Sequence, residues 1–175
     1  MEFLKLVETR RSVRSYAKAS VEAKDLESAV KTALMAPSWK NSETARYYFA
    51  NGEENASKVY DMLPDFNKKS CEGITCFLVC AYETGISGYS QGQPVGDGDS
   101  WGAYDLGLSN AYFLLALKEM GYDSLIMGLR DEEGLRRLFE IPSSQRIMGV
   151  IAIGKRKGEP VLRPRKDIKQ VMKTL

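Results

Sequence analysis

The sequence predicts a single domain, residues 1–175, in which helices and strands are mixed. Three observations carry this. Apolar residues recur at helical spacing in several stretches, as at Leu26, Ala29, Val30, Ala33 and Leu34. Residues 74–82 form a continuous apolar run of strand length and composition. No internal repeat and no linker divides the chain, which at 175 residues and 43% hydrophobic content is large enough to bury its own core. No Gly-x-Gly-x-x-Gly follows a strand, so a dinucleotide-binding doubly wound sheet is not supported.

Taken in order, residues 2–9 read as a short helix, with Phe3, Leu6 and Val7 on one face. Ser20 is placed to cap a second helix whose first turns hold Glu22 and Asp25. That helix runs to Ala36, because the residue before Pro37 is pushed out of helical geometry. A loop over residues 37–42 follows. Residues 46–50 read as a strand closed by the Asn51-Gly52 turn, and residues 53–63 as a helix ending before Pro64. After the apolar strand at 74–82, the Gly-, Ser- and Gln-rich stretch 83–100 reads as a flexible loop rather than an element. The longest helix spans 101–120. Its apolar residues fall on every side, which predicts burial nearly all round and hence a central position or a partner chain. Residues 124–128 read as a short extended segment, Asp131 as the cap of a helix through Phe139, and 147–153 as a further strand. Beyond Pro160 the tail starts extended, since Pro160 and Pro164 resist helix, and ends in a short helix through Val171 and Met172.

Charge and composition exclude several classes. Lys+Arg 25 against Asp+Glu 23 is too balanced for a dedicated nucleic-acid binder. No apolar run approaches the roughly 20 residues that span a bilayer. The first residues lack the basic-then-apolar order of a signal peptide, so a cytoplasmic location is expected. Cys71, Cys76 and Cys80 are an odd number at spacings that fit no zinc or redox signature, and they read as buried thiols. The chain has no histidine, which removes the commonest general base and the commonest metal ligand. Enzymatic reactivity would therefore come from a cofactor. Gly149 to Arg156 imitates a phosphate-binding loop, but Arg156 stands where Ser or Thr is required. Asp97 to Leu108 imitates a calcium loop, but Trp101 and Leu108 occupy ligand positions.

What remains is basic. Arg10, Arg11 and Arg14 surround Ser12 within five positions, and Arg163-Pro164-Arg165-Lys166 forms a second cluster near the other end. As chemistry, forked guanidinium donors beside a hydroxyl suit a phosphorylated ligand. As ordinary surface, the same residues make a solvated basic turn. Two distant clusters in a nearly neutral chain point to one anion held from two sides.

In order along the chain, Arg10-Arg11-Ser12-Val13-Arg14-Ser15-Tyr16, Ala36-Pro37-Ser38-Trp39-Lys40-Asn41-Ser42, Tyr104-Asp105-Leu106-Gly107-Leu108, Gly121-Tyr122-Asp123-Ser124 leading to Met127-Gly128, and Arg163-Pro164-Arg165-Lys166 resemble the nitroreductase family of flavin enzymes. The resemblance covers nearly the whole chain. It implies an α+β fold, a central and mostly antiparallel sheet wrapped by helices, in an intertwined homodimer with FMN at the subunit interface. It further implies NAD(P)H as electron donor and a ping-pong transfer of hydride through FMN to a small-molecule acceptor such as a nitroaromatic or quinone, with no catalytic side chain. By the same resemblance Arg10, Arg11, Ser12 and Arg14 would contact the phosphate, ribityl chain and pyrimidine edge, and Arg163 and Arg165 would complete the phosphate site. Pro37, Ser38, Trp39 and Asn41 would line the flavin from the partner subunit. Leu125, Met127 and Gly128 would pass close to the ring, and Asn67 would touch its pyrimidine edge. A positive Arg14 near that edge would favour hydride acceptance.

Bland readings stand beside these: Arg14 as a surface ion-pair partner, Trp39 as a core residue, Ser12 as a turn residue. Two departures from the family pattern are Glu43, where glutamine often follows the asparagine, and the glycine-rich stretch at 83–100, where relatives place pocket helices. Two rival functions are a flavin-storing or flavin-sensing protein without turnover and a small anion- or RNA-binding module.

Overall fold

The computed structural model describes residues 2–175. Along the chain run α1 (Phe3–Thr9), β1 (Tyr16–Ala17), α2 (Ala23–Ala33), β2 (Ala45–Asn51), α3 (Glu53–Asp61), α4 (Asp65–Ser70), β3 (Cys76–Glu83), β4 (Tyr89–Ser90), β5 (Gln93–Pro94), α5 (Ser100–Glu119), β6 (Asp123–Met127), α6 (Glu132–Leu138) and β7 (Gln145–Arg156). Single 3-10 turns lie at Trp39–Asn41 and Ile168–Gln170. The long β7 is the spine of the sheet. β3 pairs along one edge of it, β6 and then β1 along the other, and β2 lies outside β3. Every one of these pairings is antiparallel, so the architecture is α+β.

Alternation along the strands builds two cores. Phe77, Val79 and Ala81 of β3 join Val150 and Ala152 of β7 on one face, under Ala56 and Val59 of α3 and Leu135 of α6. Cys76, Leu78, Cys80 and Tyr82 join Ile151 and Ile153 on the other, under Leu26, Ala29 and Ala33 of α2 and Leu106, Phe113 and Leu117 of α5. A strand covered on both faces must be apolar at every position, which is why 74–82 is a continuous run. α5 approaches β3 so closely at Gly102 that a Cβ there would lie 2.4 Å from the Tyr82 ring. All three thiols are free and buried, and burial pushes those of Cys71 and Cys76 up to about 12.

Several expectations need correction. Ser20 caps nothing: Val21 is buried, its carbonyl accepts from Asn51 Nδ2 at 3.0 Å, and the Ala19 carbonyl accepts from Thr75 Oγ1 at 2.8 Å. These bonds hold residues 19–22 extended, so α2 begins at Ala23 behind Glu22 and ends at Ala33. The helix at 53–63 stops at Asp61, and Pro64 opens a second one, α4, by accepting from Asn67 N at 2.8 Å. The stretch 83–100 holds the β4–β5 hairpin. Its glycines at 85, 88, 92, 96 and 98 all have positive φ, and at Gly88 a Cβ would lie 2.1 Å from the Gly98 carbonyl oxygen. Glycine here permits tight folding rather than disorder. In one chain α5 is not buried all round, since Gly107 and Ala111 are exposed, as are Tyr104 (60%) and Tyr112 (40%). The tail ends in the 3-10 turn rather than an α-helix, and its Val161, Leu162, Ile168, Val171 and Met172 are exposed.

Candidate functional site

α1 ends at Arg10, where the backbone turns extended and the Arg10 N–H donates to the Leu6 carbonyl at 3.0 Å. The next residues run beside β6. Ser12 bridges Ser124 in parallel, Val13 N donates to the Ser124 carbonyl at 3.1 Å, and the buried Val13 side chain pins the crossing. Arg10, Arg11, Ser12 and Arg14 are thereby displayed along the outer edge of β6. Arg11 Nη1 donates to the Arg10 carbonyl at 2.8 Å, and Arg14 Nη1 to the Ser12 carbonyl at 3.3 Å. The exposed tail brings Arg165 back to this place. Partial burial lowers the Arg10 guanidinium below its ordinary value, and the charges of Arg165 and then Arg11 lower it further. Among the described residues none of Arg10, Arg11, Arg14, Arg163 and Arg165 joins an ion pair with a carboxylate. Like charges gathered without a counter-charge make a standing attraction for an anion.

Of the β6 residues, Leu125 and Met127 turn their side chains into the core, at 3% exposure each, while Ile126 faces outward, and Gly128, just past the strand, is exposed. Any ligand at this edge meets the backbone of Leu125 and Met127 rather than their side chains. Asn67, 92% buried by its 8% exposure, donates Nδ2 to the Leu129 carbonyl at 3.1 Å. Its amide therefore holds the turn after Gly128. Arg130 adds to that hold by donating to the carbonyls of Gly128 and Ile147 and pairing with Glu132 at 2.8 Å. Sequence reasoning missed Arg130, whose role depends on a carbonyl 17 residues away.

The second predicted half is the loop of Pro37, Ser38, Trp39 and Asn41. Lys40, Asn41 and Glu43 have φ of 47°, 56° and 48°, a left-handed conformation that costs roughly 1–3 kcal/mol per non-glycine residue. Asn41 Nδ2 donates to Glu43 Oε1 at 2.9 Å, and Glu43 N to Ser38 Oγ at 3.1 Å. Glu43, where the family often has glutamine, thus stabilises the loop from inside. Trp39 stacks at a tilt on Trp101, with ring centroids 4.9 Å apart, and Trp101 meets Tyr104 edge-on at 5.6 Å. The indole N–H of Trp39 is buried and finds no acceptor among the described residues. Beneath the loop lies Asp105 of α5, at 3% exposure. Its Oδ2 accepts from Trp39 N at 3.0 Å and from Ser87 Oγ at 2.6 Å, and Ser87 Oγ lies 2.7 Å from Ser42 Oγ.

The two halves lie apart within one chain. The loop joins β2 at Ala45, which pairs with Tyr82 and through it with Arg146, whereas Ser124 pairs with Ile153. Seven residues of β7, bulged opposite Cys80 and Ala81, face six of β3 between these levels, about 20 Å at the usual strand rise.

A model of the nitroreductase family matches residues 7–155. Among known proteins, one from Archaeoglobus fulgidus named as an NADH dehydrogenase/NAD(P)H nitroreductase is 27% identical over 162 residues, 90% of this chain and 87% of its own. Two solved structures share the fold. A nitroreductase family protein from Streptococcus pneumoniae TIGR4 superposes with a TM-score of 0.87 at 17% identity, over 99% of this chain and 100% of that one. A protein from Exiguobacterium sibiricum 255-15 named as a nitroreductase, solved in complex with FMN, gives 0.87 at 16% identity, over 100% and 98%.

Proposed function

The chain belongs to the nitroreductase family, and on that premise we propose that it is an FMN-dependent oxidoreductase drawing electrons from NADH or NADPH. It works as a cytoplasmic homodimer, each chain one FMN-binding domain, and delivers the electrons to a nitroaromatic, quinone or similar acceptor. The observation that carries this reading is the gathering of Arg10, Arg11 and Arg165 from the two ends of the chain, none of them in an ion pair with a carboxylate among the described residues. These residues fit FMN. A phosphate dianion is what an uncompensated guanidinium cluster binds best, through paired donors, and Ser12 and Arg163 lie in the same two segments. The outward edge of β6, followed directly by Gly128, suits a flat ring system because no side chain stands just past its end.

When bound, FMN supplies the two-electron chemistry, so donor and acceptor take turns at one place in a ping-pong cycle. The chain's own contribution is position and charge. Arg10, Arg11, Arg163 and Arg165 hold the phosphate, and Arg14 sets a positive charge beside the pyrimidine edge. The backbone of Leu125, Met127 and Gly128 borders the ring, with Asn67 and Arg130 fixing the turn behind it. Pro37, Ser38, Trp39 and Asn41 come from the second copy and exclude water from the other side. The second copy also accounts for the exposed apolar residues of α5 and of the tail.

A visible absorption spectrum of the purified protein tests this. A flavin spectrum that bleaches on anaerobic addition of NADH or NADPH is expected. A flavin that stays oxidised with both donors would mean binding without turnover, and no flavin after incubation with FMN would overturn the reading altogether.

A further inference from the structure

We infer that Asp105 is a positioning residue, a buried hub that holds the left-handed loop at Lys40–Glu43 and the glycine-rich stretch at Ser87 in one fixed relation. The inference rests on the proposed function only for what the loop is presented to; the hub itself stands on geometry within one chain.

Asp105 sits on α5 with its carboxylate enclosed, yet no described lysine or arginine pairs with it. A carboxylate buried among neutral donors is tolerated only where those donors are supplied without fail. Here they come from two other segments, the backbone of Trp39 and the hydroxyl of Ser87. Ser87 is itself fully buried and reaches on to Ser42, so the two segments are also joined to each other, and one oxygen of Asp105 anchors both. The loop it anchors is poorly able to hold its shape alone. Three non-glycine residues with positive φ fall within four positions, and such conformations persist only where the surroundings over-determine them. Asn41 N donates to the Ser38 carbonyl at 3.1 Å and Ser42 N to the Trp39 carbonyl at 2.9 Å, so fixing Trp39 fixes the turn that follows. Trp39 packs on Trp101, one turn before Asp105 on the same helix, which makes α5 the template for the loop. The consequence for the reaction is specificity. Acceptors enter between this loop and the other copy's ring-binding edge, and the hub sets that gap.

The experiment is hydrogen exchange by mass spectrometry on the full-length protein, comparing wild type with Asp105→Asn, Asp105→Ala and Val59→Ala. Val59 is fully buried on the opposite face of the sheet, so V59A lowers stability without touching the loop. The informative amides are those of Asn41, Ser42 and Glu43, which Asp105 does not contact. D105N and D105A should exchange at these positions about tenfold faster than wild type, with V59A unchanged there. The same two variants should raise KM about tenfold for the acceptor and for the electron donor, which share the gap the hub sets, with a smaller change in kcat. Unchanged exchange in D105N and D105A, or equal acceleration in V59A, would overturn the inference. Faster loop exchange in a protein that takes up no flavin would support the hub and count against the proposed function alone.

Discussion

Arg10 carries its charge against three opposing influences at once: partial burial, Arg165 and Arg11. A bound dianion reverses two of them, so removing a guanidinium from this cluster should be felt mainly in ligand affinity. Losing one or two charge-assisted hydrogen bonds at about 1.5–3 kcal/mol weakens binding by about 10- to 100-fold. Arg165→Ala and Arg10→Ala should each do so, with Arg165→Lys intermediate because a point charge cannot donate as a fork. Fluorescence titration with FMN measures it. A second residue-scale prediction concerns pH. Burial raises the thiols of Cys71 and Cys76 to about 12, and it raises the Tyr16 and Tyr47 hydroxyls as well. Groups whose folded values are raised leave stability intact below their unfolded values and erode it as pH climbs toward the folded ones. The protein should therefore hold its melting temperature up to about pH 9 and lose it progressively above that, as seen by differential scanning calorimetry. Thiol reagents should label it only after unfolding.

At the level of elements, the contact between α5 and β3 leaves no room at Gly102, where a Cβ would lie 2.4 Å from the Tyr82 ring. Gly102→Ala should destabilise by about 1–3 kcal/mol through overpacking, lowering the melting temperature by several degrees. Elements were legible in the sequence to the extent that one rule governed each. β3 needed only an unbroken apolar run up to Tyr82, α6 only Asp131, whose Oδ1 accepts from Gly134 N at 3.0 Å. The start of α2 was not legible, because Asn51 and Thr75, far along the chain, outcompete a local serine cap. Nor was the hairpin at β4–β5, since glycine marks loose loops and tight turns alike and only the partner carbonyl at Gly98 decides. α4 hid because Pro64 reads as a stop when it is also a start. In the candidate site the two arginine clusters stood out by composition alone. The Asp105–Ser87–Ser42 chain did not, for its members are ordinary residues made special by contacts across 18 and 45 positions.

On the scale of the whole molecule, the exposed apolar residues of α1, α5 and the tail are what a second copy would cover in the proposed dimer. Ending the chain after Pro160 removes Val161, Leu162, Ile168, Val171 and Met172 together with Arg163 and Arg165. Sedimentation velocity should then find the truncated protein shifted toward monomer, and it should lose flavin on gel filtration. The separation along β7, about 20 Å, between the level of the arginine edge and that of the Trp39 loop leads further. If each site draws its arginines from one copy and its loop from the other, two differently broken proteins can repair one another. Mixing Arg10→Ala chains with Asp105→Ala chains, unfolding and refolding them together, yields hybrids in which one site inherits both defects and its twin inherits neither. In a random mixture roughly a quarter of the sites should combine wild-type flavin affinity with wild-type KM, a class of site found in neither parent and the signature of a function that belongs to the pair rather than to either chain.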